Sequence, residues 1–150
     1  MERAIRHTWF FPHSPERVWE YLTKPELLAQ WLMESNFRPE VGHRFQFHTK
    51  PIVKFNFDGN IYCQVLELEP NKKLVYSWKG GNGKGEVSLD SLVTWTLAAK
   101  NGGTELQLVH SGFKGFRNFM SYIIMNQGWL KIAKRFLKNL NQSAHVPTGA

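Results

Sequence analysis

The segment from about Arg117 to Leu140 constrains the chain most. Counting from Trp129, the apolar residues Trp129, Ile132, Ala133, Phe136, Leu137 and Leu140 recur at steps of three, four, seven, eight and eleven, one stripe of an α-helix. Lys131, Lys134, Arg135 and Lys138 fill the opposite face. Tyr122, Ile123 and Met125 extend the stripe backwards. At about 1.5 Å per residue such a helix spans roughly 30 Å, the width of a small domain. A stripe that long must be buried against something of matching length, and the rest of the chain offers mostly strands. The expectation is a sheet wrapped round this helix, with the function between them.

The strands are legible by alternation. Ile5, His7, Trp9 and Phe11 alternate with Arg6, Thr8 and Phe10, which places the odd positions inward. Pro12 ends this strand. Ser14 offers an N-cap with Pro15 at the first helical position, and a short helix carries Val18, Trp19, Tyr21 and Leu22. Pro25 opens a second short helix with Leu27, Leu28, Trp31 and Leu32. Strands follow at Arg44–His48, with Phe45 and Phe47 on one face, at Phe55–Phe57, and at Ile61–Leu68, the last two joined by the turn Asp58-Gly59. Further strands run from Leu74 to Trp78, from Val87 to Ala98 and from Thr104 to Ser111. Lys79–Gly85 reads as a glycine-rich loop, and Lys114–Phe119 as a basic, aromatic connection. The tail from Gln142 is expected to fray. Hairpin-linked strands with one long helix make an antiparallel, two-layer α+β arrangement.

Composition narrows the class. A length of 150 residues suits one domain spanning 1–150. Eleven Phe, six Trp and four Tyr favour either a bulky core or an aromatic-lined cavity. The single Cys63 excludes an internal disulfide and a cysteine zinc site. A net charge of +7 permits an anionic partner without requiring one. No signal-peptide h-region or membrane-length apolar run is read, so a cytoplasmic protein is expected.

The ordered set Ser14-Pro15-Glu16-Arg17-Val18-Trp19, Thr23-Lys24-Pro25-Glu26-Leu27-Leu28 with Trp31, Gly42-His43-Arg44-Phe45, Asp58-Gly59, Glu69-Pro70, Lys73–Trp78, Val93-Thr94-Trp95, Gly103–Phe113 and Gly128-Trp129 resembles the START-like (SRPBCC) superfamily. That superfamily has the helix-grip fold and includes the Bet v allergen and polyketide cyclase families. The branch it resembles most is named after the activator of the heat-shock protein 90 ATPase. His43 stands where the family's Gly-Gly-Arg-Phe has its second Gly, and His7 where an aliphatic residue is usual. The resemblance implies a curved antiparallel sheet of six to seven strands round the C-terminal helix, with a largely apolar cavity between them. Relatives use such cavities for lipids, sterols, polyketides or hormones, and a few for catalysis. It implies no universal catalytic residue and no cofactor.

The candidate ligand-binding wall comprises His7, Trp9, Phe45, Phe47, Trp78, Trp95, Leu108, His110 and Phe113 from the strands, and Tyr122, Met125, Trp129, Ile132, Ala133 and Phe136 from the helix. The same rings would also serve simply to fill a core. His110 shares a face with Leu106 and Leu108, where it can orient a ligand carbonyl or hydroxyl or else sit as a neutral, bonded core group. Ser111 points to the opposite face and cannot pair with it. Glu67 and Asp90 are acid–base candidates only if they face inward. His7, His48 and His110 lack the close spacing of metal ligands. Three functions follow: binding of a hydrophobic small molecule, a chaperone-linked interaction module, or a cyclase or hydrolase. Nucleic acid is not expected as a partner, and the basic helix face reads first as a solvated one.

Overall fold

The computed structural model describes residues 2–50, 58–81 and 87–145, with side chains for 3–50, 58–81, 89–113 and 123–142. In chain order the elements are β1 (Glu2–Phe11), α1 (Pro15–Thr23), α2 (Pro25–Trp31), β2 (Glu34–Ser35), β3 (Arg44–His48), β4 (Asn60–Glu69), β5 (Lys73–Gly81), β6 (Val87–Lys100), β7 (Gly103–Lys114) and α3 (Gly115–His145). The seven strands form one antiparallel sheet in the order β1-β7-β6-β5-β4-β3-β2. This is the helix-grip α+β arrangement. The α3 backbone lies closest to β1, β7, β6 and α2.

Local chemistry explains the boundaries. Ser14 Oγ accepts the Arg17 amide at 3.2 Å, and Pro15 fills the first helical position of α1. Pro25 does the same for α2, which has no side-chain cap. The long strands read by alternation are present, and their inward positions form the core. Burying each large apolar side chain there contributes about 1.5–3 kcal/mol.

The structure corrects two of the connections read from sequence, adds the short strand β2, and leaves the Phe55–Phe57 strand and its hairpin outside the described residues. β2 has only two residues, too few to show a period. Lys79–Gly81 continue β5 and pair with β6 instead of starting a loop; residues 82–86 lie outside the described residues. Asp58-Gly59 leads into β4, whose described partner on that side is β3, with His48 opposite Asn60. The strand expected at Phe55–Phe57 lies outside the described residues. β7 passes directly into α3 at Gly115 with no connecting loop, and α3 runs 31 residues, about 46 Å at the usual rise.

Gly112 permits this last passage. It is the extra residue of a bulge, since Arg3 faces Phe113 and Ala4 faces Ser111 across β1. Its φ of +107° is open to glycine, and a Cβ there would sit 2.9 Å from the Asp90 carbonyl oxygen. The bulge resets parity, so Phe113 turns inward after His110 although the two are three residues apart.

Candidate functional site

The space between α3 and the sheet has two unlike ends. At one, α1, α2, β1 and the C-terminal half of α3 converge. Trp31 stacks on Phe136 with ring centroids 4.1 Å apart, and Phe11 and Tyr21 flank the same ring at 4.9 and 6.0 Å. Trp31 Nε1 donates to the Tyr21 carbonyl at 3.0 Å. Phe11, Trp31, Phe136 and Leu140 are almost fully buried, so this end is closed by packed rings.

At the centre Trp129 crosses from α3 to the sheet and meets Trp78 and Trp95 at 5.4 and 5.5 Å. It also anchors a polar chain. Trp129 Nε1 donates to His110 Nδ1 at 3.0 Å. Indole nitrogen only donates, so Nδ1 is unprotonated and the ring is the neutral Nε2–H tautomer. Nε2 therefore donates to Ser91 Oγ at 2.8 Å, and the Ser91 hydroxyl donates to the Trp78 carbonyl at 2.7 Å. Every hydrogen-bonding position of the imidazole is occupied. Burial pushes its pKa down to about 3, because the charged form has no water around it. A second buried link joins Trp95 Nε1 to the Tyr76 hydroxyl at 2.9 Å; burial pushes that phenol up.

The helix is tied along one flank. His7 Nε2 bonds Asn126 Oδ1 at 2.7 Å, and His13 Nε2 bonds Asn141 Oδ1 at 2.9 Å, so β1 and the chain just after it hold α3 at two points. The opposite flank is looser. Met125, Gly128 and Ile132 follow one another along α3 and are only half-buried. A Cβ added to Gly128 would meet nothing within 4 Å. Further along, Asn139 on this flank bonds the Gln30 carbonyl of α2 at 3.4 Å. The inner face of β3–β5 presents Phe45, Phe47, Ile61, Cys63, Tyr76 and Trp78, all buried.

Of the wall residues named from sequence, Phe45, Phe47, Trp78, Trp95, Leu108, His110, Phe113, Trp129, Ala133 and Phe136 are buried in this interior. Most of their surface is already covered by protein atoms. His7, Trp9, Met125 and Ile132 are half-buried, and the Tyr122 side chain lies outside the described residues. Glu67 and Asp90 do not face inward: both are exposed, beside Lys73 and Lys79 at 2.8 and 4.0 Å. His48 is exposed and bonds Asn60 Oδ1, and no cluster of three metal-ligating side chains occurs among the described residues. The Cys63 thiol is buried and held protonated by desolvation, a core group. Two open depressions, of about 520 and 460 Å³, lie outside the interior: beside Pro15 and Glu69–Lys73, and on the outer sheet face around Leu66 and Leu92. Sequence reasoning missed Ser91, Tyr76, Asn126 and Asn141. Ser91 was within reach, because stepping back by two from Val93 on the inward face of β6 lands on it.

A family model described as Activator of Hsp90 ATPase homolog 1-like protein matches residues 12–141. No curated protein matches. Among solved structures, protein MLL2253 from Mesorhizobium loti is similar at 32% identity and a TM-score of 0.82, over 93% of this chain and 98% of its own. DynU16, from the dynemicin biosynthetic locus, is similar at 21% identity and a TM-score of 0.73, over 93% of this chain and 48% of its own. The Aha1 dimer from Colwellia psychrerythraea is similar at 22% and 0.69, over 98% and 99%. The last two likenesses show the fold alone.

Proposed function

The chain belongs to the Activator of Hsp90 ATPase homolog 1-like family, and from that footing we propose that it is a non-catalytic domain that takes a hydrophobic small molecule between α3 and the sheet. One observation carries the reading: among the described residues α3 is bonded to the β1 side at Asn126 and Asn141, while its other flank is bonded only at Asn139, beyond Ile132. The bonds to Asn126 and Asn141 hold the β1 side, while Met125, Gly128 and Ile132 stay half-buried on the side facing the aromatic half of the sheet. A ligand enters along that flank and displaces no buried polar bond. Apolar contact, at about 25 cal/mol per Å² of buried surface, supplies most of the affinity.

The polar chain supports binding over catalysis. General acid–base work needs a group free to exchange a proton near the working pH. His110 is held neutral with both nitrogens engaged. Its part is to hold Trp129 and the two strands in register. The location of DynU16 in a biosynthetic locus is compatible with a small-molecule cargo in this fold.

Titration with an apolar fluorophore tests the proposal. The wild type takes up one probe per chain, and Gly128→Trp, which fills the open flank, removes the uptake while leaving the melting temperature near that of the wild type. Uptake that Gly128→Trp leaves unchanged moves the site elsewhere; no uptake of any apolar probe ends the reading. The family description favours a second reading, a chaperone-linked interaction module. Capture of a heat-shock protein 90 chaperone by the wild type and by Gly128→Trp alike, without probe uptake, would establish it instead.

A further inference from the structure

Over its 31 residues α3 carries Arg117, Lys131, Lys134, Arg135 and Lys138 and not one Asp or Glu. The last four lie within eight residues and are all exposed. None joins an ion pair among the described residues, where Glu20, Glu67, Glu69, Asp90 and Glu105 pair with cations outside α3. Lys131 and Arg135 are four apart, as are Lys134 and Lys138, and Lys131/Lys134 and Arg135/Lys138 are three apart, so the helix keeps four like-charge neighbour pairs, a spacing that weakens it. The helix macrodipole does not account for them, since its influence fades within the last turn and α3 continues to His145. Three aliphatic side chains share the outward side: Ile123, Ile124 and Leu130, 39%, 41% and 44% exposed. At about 100° per residue these and the four cations fall within an arc of about 140°, opposite Trp129, Ala133, Phe136 and Leu140.

We propose that this face docks α3 lengthwise on an anionic lipid bilayer. Lipid phosphates and carboxylates neutralise the four cations and relieve their mutual repulsion, while Ile123, Ile124 and Leu130 enter the boundary between headgroups and acyl chains. The mixture of cations with aliphatic groups favours lipid over nucleic acid, whose bases are gripped by aromatic rings, and the described part of this face has none. The face is a convex ridge, which suits a yielding surface better than a preformed protein groove. Among the described residues no helix is long and apolar enough to cross a membrane, so α3 lies on the bilayer. The proposal stands whether or not the interior takes a ligand.

Co-sedimentation with vesicles tests it. The protein binds vesicles of phosphatidylcholine mixed with phosphatidylserine and not vesicles of phosphatidylcholine alone. Binding weakens as salt rises and the Debye length shrinks. Each cation is worth about fivefold in partitioning, so the double variant K134Q/R135Q binds about 25-fold more weakly. Leu130→Ser weakens binding at low and high salt alike. All these positions are exposed, and circular dichroism melts that superimpose on the wild type show that the fold is kept. Equal binding to both vesicle types, or full binding by K134Q/R135Q, overturns the proposal. So does capture of RNA or an acidic polypeptide while vesicles stay bare.

Discussion

The two ends of the α3–sheet interface follow different rules. Where α2 reaches the helix, Trp31, Phe136, Phe11 and Tyr21 interlock and are all buried. One to three turns earlier on the same helix, Met125, Gly128 and Ile132 are half-buried, and a Cβ at Gly128 would meet no atom within 4 Å. The amphipathic stripe is continuous through both. The partner differs: α2 stacks the Trp31 ring on Phe136 in the C-terminal half, while Met125, Gly128 and Ile132 stay half-buried. Periodicity alone therefore identifies a helix that must be covered, not how closely.

The largest expected contrast is in stability. Phe136→Ala should cost about 3–5 kcal/mol, as for a large ring removed from a packed core. Ile132→Ala should cost about 1–2 kcal/mol, because half of that side chain is already in contact with water or with loose packing. Urea unfolding of the two variants measures both; equal losses would mean that the flank is as tightly packed as the closed end.

The polar chain between the two regions should respond next. Ser91→Ala leaves His110 Nε2–H and the Trp78 carbonyl without their partner, at a cost of about 1–3 kcal/mol. The same chain sets a pH dependence. His110 stays neutral in the folded protein down to about pH 3, whereas a free imidazole titrates at 6.5. Between those values the unfolded chain binds more protons, so the stabilisation is complete above 6.5 and is lost as pH falls toward 3. From about pH 6 to pH 4 the wild type should lose up to about 1.4 kcal/mol per pH unit more than His110→Gln. Parallel curves for the two proteins would show that the imidazole is solvated.

Two glycines give a smaller contrast of opposite sign. Gly112→Ala should cost about 1–3 kcal/mol, since its φ and the nearby Asp90 carbonyl both exclude a Cβ. Gly128→Ala should gain about 0.5–1 kcal/mol, the helix-propensity difference with nothing to clash against. A loss at Gly128 would mean that the flank is closed in solution.

Most of the fold was legible because long periods are redundant. The stripe from Trp129 to Leu140 holds six apolar residues over about three turns, and β6 alternates over Val93, Trp95 and Leu97, so neither needs outside information. The exceptions have physical causes. Register shifts between Val65 and Glu67 at the β4–β5 pairing, and Leu66 and Glu67 are both exposed, which defeats parity for Glu67. Gly112 resets the parity of β7. The start of α3 carries no Ser, Thr, Asp or Asn cap before Gly115, so the boundary was invisible. The His110 partners arrive from β6 and α3, on separate elements, and pairing across such distances is a property of topology. That both nitrogens would be occupied was open at the level of sequence, and only the placement of Ser91 and Trp129 decides it.

The most direct measurement is methyl nuclear magnetic resonance of the protein during titration with an apolar probe such as a fatty acid. The account predicts that Met125 and Ile132 shift in saturable, stoichiometric fashion while Leu140, beneath the closed end, stays in place. Uniform shifts along α3, or none at Met125 and Ile132 under saturating probe, would contradict it.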